Sequence, residues 1–244
     1  MEIIKSAWHS ESALSGFKDT IHSMAYHGGF VLGAFDGNRL IGMSFSYPGY
    51  KKGQVYLYSH MTGVIDEQKY SGAGYALKIK QRELALNYGY DMIAWTFDPV
   101  MSLNGYFNIG KLGAVSRTYL DNFYGIMDDG INKGVPTDRL VAEWHIHENY
   151  NRSYEEPQFI NTVDGYQMAF NEKPEKDVIG IKMIKDFYEF KKTDIDGALK
   201  AKMLIRSKFH ELFLEGYVII NFDKNNNSYI FKKNFKLSKI NIFE

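Results

Sequence analysis

Two closely spaced glycines, Gly72 and Gly74, mark the stretch of this sequence best suited to binding a ligand, and residues 69–74 read Lys-Tyr-Ser-Gly-Ala-Gly. An apolar and aromatic run at residues 55–65 predicts a strand before them, and the spacing of residues 75–88 predicts a helix after them. A strand that turns through glycines into a helix presents several backbone N–H groups at the positive end of the helix dipole. The pattern therefore predicts a phosphate or pyrophosphate site at residues 72–75.

Two side chains near this turn are candidates for proton transfer. His60 lies on the predicted strand that enters the turn, and imidazole titrates near neutral pH. Asp98 follows a buried apolar run at residues 91–97, at the end of a strand where open sheets place ligand chemistry. Each has a structural alternative, since His60 also fits a packed strand histidine and Asp98 fits the N-cap of a short helix.

Further polar residues have both functional and structural interpretations. Asp138 and Arg139 suit the binding of a polar acceptor, because Arg pairs with carboxylates through two hydrogen bonds, but they equally fit an internal ion pair. Two histidines at residues 145 and 147 lack a third ligand at suitable spacing, so no metal is expected and a solvated face is predicted. A solvated helix face is also predicted for four cations: Lys200, Lys202, Arg206 and Lys208.

Composition limits the classes of protein to consider. The chain has 244 residues, of which 45% are hydrophobic and 24% charged, as in folded globular proteins. Lys+Arg and Asp+Glu balance at 29 each, which gives no general reason to expect nucleic acid or an anionic membrane as partner. The sequence contains no Cys, which excludes disulfides, thiolate catalysis and Cys-based zinc sites. No secretory signal and no membrane-spanning run are recognised, so a cytoplasmic location is expected.

The elements that would position these residues follow from hydrophobic spacing. A short strand at residues 2–5 and an amphipathic helix at residues 10–26 come first. Strand-like runs at residues 30–35 and 40–47 flank Asp-Gly-Asn-Arg, a hairpin signal, and the third strand has Gly63 as a possible bulge. In the helix after the glycine turn, Leu77, Leu84 and Tyr88 form the predicted apolar stripe, and Lys78 falls outside it.

The remaining segments alternate in the same way. We expect a buried strand at residues 91–97, a short helix at 104–112, and strands at 114–124 and 139–147 on either side of a polar loop. Beyond residue 150 the composition shifts, and we expect a helix at 194–215 and a terminal hairpin. The predicted domains are residues 1–150 and a C-terminal extension at 151–244, packed on the first domain or at the interface of a possible homodimer.

This order of elements, with the glycine turn, resembles the GNAT acyltransferase superfamily. Its signature, Gln/Arg-x-x-Gly-x-Gly/Ala, is matched by residues 69–74 with Lys in the first position. The resemblance implies an α/β (α+β) fold with a mixed, mostly antiparallel central sheet flanked by helices. It also implies a coenzyme A site, with pyrophosphate contacts at Ser71, Gly72, Gly74 and Tyr75 and pantetheine contacts at Thr62, Gly63 and Val64. Lys69, Asn104 and Asn108 are further candidates for coenzyme binding, although Asn104 equally fits a contact to the acceptor or the cap of a turn.

A narrower resemblance concerns a GNAT subgroup described only as predicted acetyltransferases, which also carries a C-terminal extension. The likeness is carried by the following residues: Ser59-His60-Met61, Trp95 to Pro99, Asn104 with Asn108 and Leu112-Gly113, and residues 137–140. This subgroup implies no particular acceptor substrate. From the superfamily resemblance we expect an acyl-CoA (acetyl-CoA)-dependent N-acyltransferase acting on a small-molecule or amino-terminal amine. The catalytic candidates are His60, Asp98 and Tyr124, and the candidates for acceptor binding are Trp95, Asp138 and Arg139.

One position departs from the family pattern. Many members place a Tyr four residues before the Gly that here is Gly113, as the acid for the leaving thiolate, but this sequence has Ile109 there. Tyr106, Asn108 or Tyr124 are the alternatives for that acid. The departure leaves open a catalytically impaired acyl-CoA-binding module with a sensing role. A nucleotide on the same turn is a third possibility, disfavoured because the Gly-x-x-x-x-Gly-Lys-Ser/Thr pattern is missing.

Overall fold

The computed structural model describes residues 15–127, 132–150 and 152–244. The predicted strand at residues 2–5 and the predicted helix start at residue 10 lie outside the described residues. The described chain divides into two compact units: the first holds the residues up to Trp95 together with His145–Asn149, and the second holds the rest. The expected domain boundary at residue 150 differs from this division and stays a prediction.

The first unit contains a mixed sheet with helices packed on it. Its elements are α1 (Ser15–Tyr26), β1 (Phe30–Asp36), β2 (Arg39–Lys51), β3 (Gln54–Val64), a 3-10 turn (Gln68–Tyr70), α2 (Ala73–Asn87) and β4 (Met92–Phe97), whose last two residues belong to the second unit. Strands β1, β2 and β3 pair antiparallel, and β4 joins β3 in parallel. Both helices contact β1 and β2. The predicted mostly antiparallel sheet flanked by helices is confirmed.

The turns of this meander follow from residues that tolerate positive φ. Lys51 pairs with Gln54 across a two-residue turn in which Lys52 has a φ of 48° and Gly53 a φ of 78°. Two consecutive positive φ angles match the twist of the flanking strands, so such turns join antiparallel neighbours tightly. The predicted hairpin between β1 and β2 is also present, with Asp36 paired to Arg39.

Strand β3 is irregular at one position. Phe45 of β2 pairs with Met61 and Ser46 pairs with Ser59, so His60 is the extra residue of a β-bulge. The predicted bulge at Gly63 is wrong, because Gly63 pairs in regular register with Met43. A bulge bends its strand and re-aims the side chains beside it. The irregularity therefore lies at the predicted proton acceptor.

The pairing of β3 with β4 is short. Only Leu57 with Ile93 and Tyr58 with Ala94 are in parallel register, although β3 continues to Val64. The two strands therefore share a ladder at the start of β3 and not along its second half.

The second unit begins with the end of β4 and a helical segment. This segment is α3 (Ser102–Gly105), which continues into a π-helix (Tyr106–Lys111). Next come β5 (Tyr119–Leu120) and β6 (Arg139–His145), an antiparallel pair. Both strands are shorter than predicted. In the case of β5, turn residues 121–124 end the strand, and only isolated bridges form before it, at Val115 and Ser116.

The remainder of the second unit has its own sheet. Its elements are β7 (Gln158–Phe159), β8 (Asn161–Asp164), β9 (Gln167–Phe170), β10 (Val178–Lys182), α4 (Phe187–Thr193), α5 (Ile195–Leu214), β11 (Tyr217–Asp223) and β12 (Ser228–Lys233). The sheet order is β11-β12-β10-β7, and β8 pairs with β9 separately. The predicted long helix and terminal hairpin are observed. Among the described residues, no helix has the length and apolar content needed to cross a membrane.

Candidate functional site

The glycine turn opens α2 with a backbone conformation that requires glycine. Gly72 has a φ of 104° and a ψ of −19°, where a side chain is strained. A Cβ at Gly72 would meet no atom within 4 Å, so the space beside the turn is open. The first amides of a helix have no acceptor within the helix. An open, left-handed start of this kind fits a phosphate group held by backbone N–H groups.

The predicted coenzyme residues of the first unit lie along one continuous path. Val64 and Gly63 end β3, and a Cβ at Gly74 would lie 3.7 Å from Cγ2 of Val64, so the turn sits beside the strand end. Ser71 is exposed and Tyr75 half-buried. The structure therefore brings the predicted pyrophosphate and pantetheine contacts together.

Lys69 has acidic neighbours at the surface. Its Nζ lies 3.9 Å from Asp36 and 3.7 Å from Glu67, and 4.5 Å from the centre of the Tyr70 ring. The side chain of Lys69 is 59% exposed, so these contacts are weak and do not fix its position. Its predicted coenzyme contact stays a prediction.

His60 sits among aromatic rings at the bulge of β3. Its ring centre lies 6.0 Å from that of Phe45, 5.8 Å from that of Tyr47 and 6.0 Å from that of Tyr58. Burial lowers the pKa of His60 from its ordinary value of 6.5. The imidazole is therefore neutral near neutral pH, the form in which it accepts a proton.

Beneath the sheet lies a buried polar group that the sequence did not reveal. Nζ of Lys78 donates to Oγ of Ser59 at 2.8 Å and to Oε1 of Gln81 at 3.1 Å. Nε2 of Gln81 donates to Oγ of Ser44 at 3.0 Å, which lies 3.0 Å from Oγ1 of Thr62. We call these five residues the Lys78 cluster. The prediction that Lys78 falls outside the buried stripe is wrong, because these hydroxyl and amide groups satisfy its amine.

The amine of Lys78 also faces an aromatic ring. Its Nζ lies 3.7 Å from the centre of the Trp95 ring, and Trp95 is 5% exposed. Burial lowers the pKa of Lys78 from 10.5 to about 7. The predicted acceptor-binding residue Trp95 is thus in contact with an amine that titrates near neutral pH.

The predicted site residues of the second unit lie around two buried carboxylates. Asp98 accepts from Nζ of Lys202 at 2.8 Å and from the Val100 N–H at 3.1 Å, and Arg139 lies 3.6 Å away. Lys202 has no exposed surface. The solvated face predicted for Lys202 is therefore wrong, since a carboxylate from another element compensates its charge.

Asp138 is the second buried carboxylate of this group. It is fully buried and accepts hydrogen bonds from the Tyr119 hydroxyl at 2.9 Å, the Asn122 N–H at 3.0 Å and the Arg206 guanidinium. The solvated face predicted for Arg206 is thus also corrected. Burial and the Asp138 carboxylate raise the pKa of Tyr119, so its hydroxyl stays a donor.

Arg139 and Tyr124 lie beside these carboxylates. Arg139 donates to Oδ1 of Asn132 at 2.9 Å and lies 5.2 Å from the centre of the Tyr124 ring. The hydroxyl of Tyr124, which is 41% exposed, is 3.1 Å from Oγ1 of Thr96. Asp98, Tyr124, Asp138 and Arg139 are therefore brought together, and their catalytic and binding roles stay predictions.

The helical segment after β4 holds the remaining candidates. Asn104 is exposed on α3, and Asn108 is 6% exposed within the π-helix. Ile109, at the position where the resemblance noted in the sequence implies a Tyr, is fully buried. π-Helices are rare and often occur at functional sites.

The two histidines considered for a metal do not share a surface. His145 is 4% exposed at the end of β6, so the solvated face predicted for it is wrong, whereas His147 is exposed and lies 3.6 Å from Asp91. Within residues 15–127, 132–150 and 152–244, no group of three or more ligand-type side chains is arranged to hold a metal ion.

Comparisons with known proteins identify similar structures only. No protein-family model matches the sequence, and no curated protein matches it. A solved aminoglycoside 6'-acetyltransferase type Ii is 15% identical over 61% of this chain and 88% of its own, at a TM-score of 0.46.

Two further solved structures are matched at the same level. A GNAT family acetyltransferase from Elizabethkingia anophelis with acetyl-CoA bound is 16% identical over 59% of this chain and 88% of its own, at a TM-score of 0.45. Arabidopsis thaliana Naa50, in complex with a bisubstrate analogue, is 16% identical over 59% of this chain and 87% of its own, at a TM-score of 0.46. These similar structures include acetyltransferases, one of them of the GNAT family.

Proposed function

We propose that this chain is an acyl-CoA-dependent N-acyltransferase that moves an acetyl group to the amine of a small molecule or an amino terminus. The observation that carries the proposal is one continuous path in the first unit, from the bulge at His60 along β3 to the left-handed turn at Gly72. The path has a neutral imidazole at one end and an open phosphate-type turn at the other. Acyl transfer from a thioester on a phosphate-bearing carrier needs both a base and a site for the phosphate.

The turn would hold the pyrophosphate of coenzyme A through the amides of residues 72–75. Residues 62–64 would pair with the pantetheine arm, because β4 pairs with β3 only at Leu57 and Tyr58 and not along its second half. Bound acetyl-CoA would supply the acyl group as a thioester.

His60 is the proposed base. It accepts the proton that the acceptor amine loses as the new C–N bond forms and the C–S bond breaks. A backbone N–H of residues 61–63, beside the bulge, would donate to the carbonyl oxygen as negative charge develops on it. Tyr124 remains the candidate acid for the leaving sulfur and Asp98 the alternative base. Trp95, Asp138 and Arg139 remain the candidates for binding the acceptor.

Calorimetry with acetyl-CoA tests the coenzyme site. We expect the wild type to bind with a dissociation constant below millimolar, and Gly72→Glu to weaken binding at least about tenfold, through backbone strain and a carboxylate at the helix start. The matched control is Gly89→Glu at the other end of α2, where φ is 80° and a Cβ would again meet nothing within 4 Å. Equal loss in both variants, or no binding by the wild type, would contradict the proposal.

A coenzyme-binding module without catalysis is the second candidate. It is favoured by Ile109, a fully buried apolar residue where the family has its acid. The two candidates differ in thiol release from acetyl-CoA with a panel of amines. An enzyme should release thiol, and His60→Gln should lower that rate by about a hundredfold or more. Tight binding with no thiol release from any amine would support the module instead.

A further inference from the structure

The Lys78 cluster connects three elements of the first unit. Lys78 and Gln81 lie on α2, the helix that the glycine turn opens, Ser44 lies on β2, and Ser59 and Thr62 lie on β3. Each link is a side-chain hydrogen bond of 2.8 to 3.1 Å. Four of the five residues are less than a tenth exposed, and Thr62 is half-buried. Buried polar groups of this kind specify one arrangement when all of them are satisfied.

The contacts of the cluster bracket the bulge of β3. Ser59 immediately precedes His60 and accepts from Lys78, whereas Thr62 follows Met61 and contacts Ser44. Beside the bulge, the backbone ladder with β2 shifts by one residue. The side-chain bonds therefore hold β3 to α2 just before the extruded residue and to β2 just after it.

We propose that Lys78 is a positioning residue of the acyl-transfer site, which holds the bulge at His60 through Ser59 and the Gln81–Ser44–Thr62 chain and loosens it when the amine is protonated. The role of Lys78 in catalysis rests on the proposed function. The role of Lys78 in positioning β3 rests only on the contacts of the Lys78 cluster.

Protonation matters because the surroundings of Lys78 are neutral. Its described contacts are a hydroxyl, an amide oxygen and the Trp95 ring. A protonated amine gains a charge and a third N–H, beyond the two that donate to Ser59 and Gln81. Burial is the cause of the lowered pKa, and no neighbouring charge is among its causes.

Titratable side chains occur on α2 itself and on β1, β2 and β3, the strands that contact α2, whereas the first-unit part of β4, which supplies Trp95, has none. Those on β1, β2, β3 and α2 are the following: Asp36, Arg39, Tyr47, Tyr50, Lys51, Tyr56, Tyr58, His60, Tyr75, Lys80, Arg82 and Glu83. Of the charged ones, Arg39 pairs with Glu67, Lys80 pairs with Glu83, and Arg82 donates to the Ile146 carbonyl. Tyr58 and His60 both adjoin Ser59 in sequence, and the titration of His60 must be separated from that of Lys78 by experiment.

Amide NMR of the full chain measures the bulge directly. In the wild type we expect the amide shifts of residues 59–62 to change with pH with a midpoint near 7, the pKa of Lys78. The transition should persist in His60→Gln and in Lys80→Met, an exposed lysine on the same helix. It should disappear in Lys78→Met and in Lys78→Gln, neither of which titrates.

Affinity for acetyl-CoA gives the second measurement. At pH 8, Lys78→Met should weaken binding about tenfold, since it removes the hydrogen bond that holds Ser59. Lys78→Gln keeps a neutral donor at this position and should recover most of the affinity. If Lys78 only stabilised the fold, Lys78→Gln would not both recover the affinity for acetyl-CoA and lose the pH transition of the amides of residues 59–62.

The two proposals fail in different ways. If the wild type does not bind acetyl-CoA, the proposed function fails, while the amide titration still decides whether Lys78 positions β3. If acetyl-CoA binds but the amides of residues 59–62 show no transition that depends on Lys78, the positioning role is overturned. It is also overturned if Lys78→Met leaves both the shifts of these amides and the affinity unchanged at pH 8.

Discussion

At the scale of single residues, Lys78 is the side chain whose energetics differ most from expectation. Among its described contacts it has two neutral acceptors and an aromatic ring, and no carboxylate. Burying an amine in this way is costly unless the amine loses its charge, which is why its pKa falls from 10.5 to about 7. Between these values the unfolded chain binds this proton and the folded chain does not, so stability rises with pH across that window.

The variant Lys78→Met removes this pH dependence. At and below pH 7 the amine destabilises the fold by roughly 5 kcal/mol, from about 1.36 kcal/mol per pH unit. Losing the bonds to Ser59 and Gln81 offsets part of that gain, so we expect Lys78→Met to be about 1–3 kcal/mol more stable than wild type at pH 6. This difference in the free energy of unfolding should shrink toward pH 10. Urea denaturation of both proteins between pH 6 and 10 measures the difference.

The control for this measurement is Lys80→Met. Lys80 is exposed and pairs with Glu83 on the same helix, so its replacement should leave the slope of stability against pH unchanged. Stability curves for Lys78→Met and wild type that run parallel across pH 7 to 10 would show that the amine does not titrate as its burial implies.

At the scale of elements, α5 combines an apolar face with two buried cations. Lys202 and Arg206, one turn apart, reach Asp98 and Asp138 respectively. Phe209 and Leu212 continue the same buried side. A buried ion pair that loses one partner leaves an uncompensated charge. The stability of α5 therefore depends on Asp98 as well as on the apolar contacts of the helix.

Replacing Asp98 with Asn should therefore destabilise the protein by about 3–5 kcal/mol. The double variant Asp98→Asn/Lys202→Met should recover most of this loss, because the fully buried Lys202 charge, which Asp98 holds at 2.8 Å, is then absent. Lys200→Met, at an exposed position of the same helix, should change stability by no more than about 0.5 kcal/mol. Chemical denaturation measures all three. Equal destabilisation in the single and double variants would mean that Asp98 does not stabilise α5 through Lys202.

Elements with local signals were predictable from the sequence. The Asp-Gly-Asn-Arg turn supplies a residue with positive φ at Gly37, and Asp194 caps α5 by accepting from the Gly197 N–H at 2.9 Å. The glycine turn at Gly72 was predictable for the same reason, since glycine tolerates its φ of 104°. In each case the residue type itself sets the backbone conformation.

Features set by tertiary pairing were not predictable. The bulge falls at His60 and not at Gly63 because the register with β2 decides it, and that register involves residues distant in sequence. The burial of Lys78 depends on hydroxyls of two other strands, which no helical spacing reveals. Strands β7 to β9 were missed because they are short and partly polar, so alternation gives them no clear pattern. Strand β10 is apolar and buried, but an apolar run this short does not distinguish a strand from a helix.

At the scale of the whole molecule, the second unit joins residues from both sides of position 150. The Tyr229 hydroxyl donates to the Pro99 carbonyl at 2.9 Å, and Arg152 donates to the Ile109 carbonyl at 2.8 Å. Ser116 forms a backbone bridge with Ile219. Asp98 and Lys202 add the buried ion pair. The predicted domain of residues 1–150 would therefore lose partners of several buried groups.

A fragment of residues 1–150 is accordingly expected not to fold cooperatively. It would retain the buried carboxylates Asp98 and Asp138 without Lys202 and Arg206, and unpaired buried charges of this kind cost several kcal/mol each. Domains of this size have only about 5–15 kcal/mol of stability to lose. Thermal unfolding followed by circular dichroism measures this, with full-length Tyr229→Phe as the control that loses one hydroxyl and should keep a sharp transition. A fragment that melts sharply and binds acetyl-CoA as the full chain does would instead establish residue 150 as a true domain boundary.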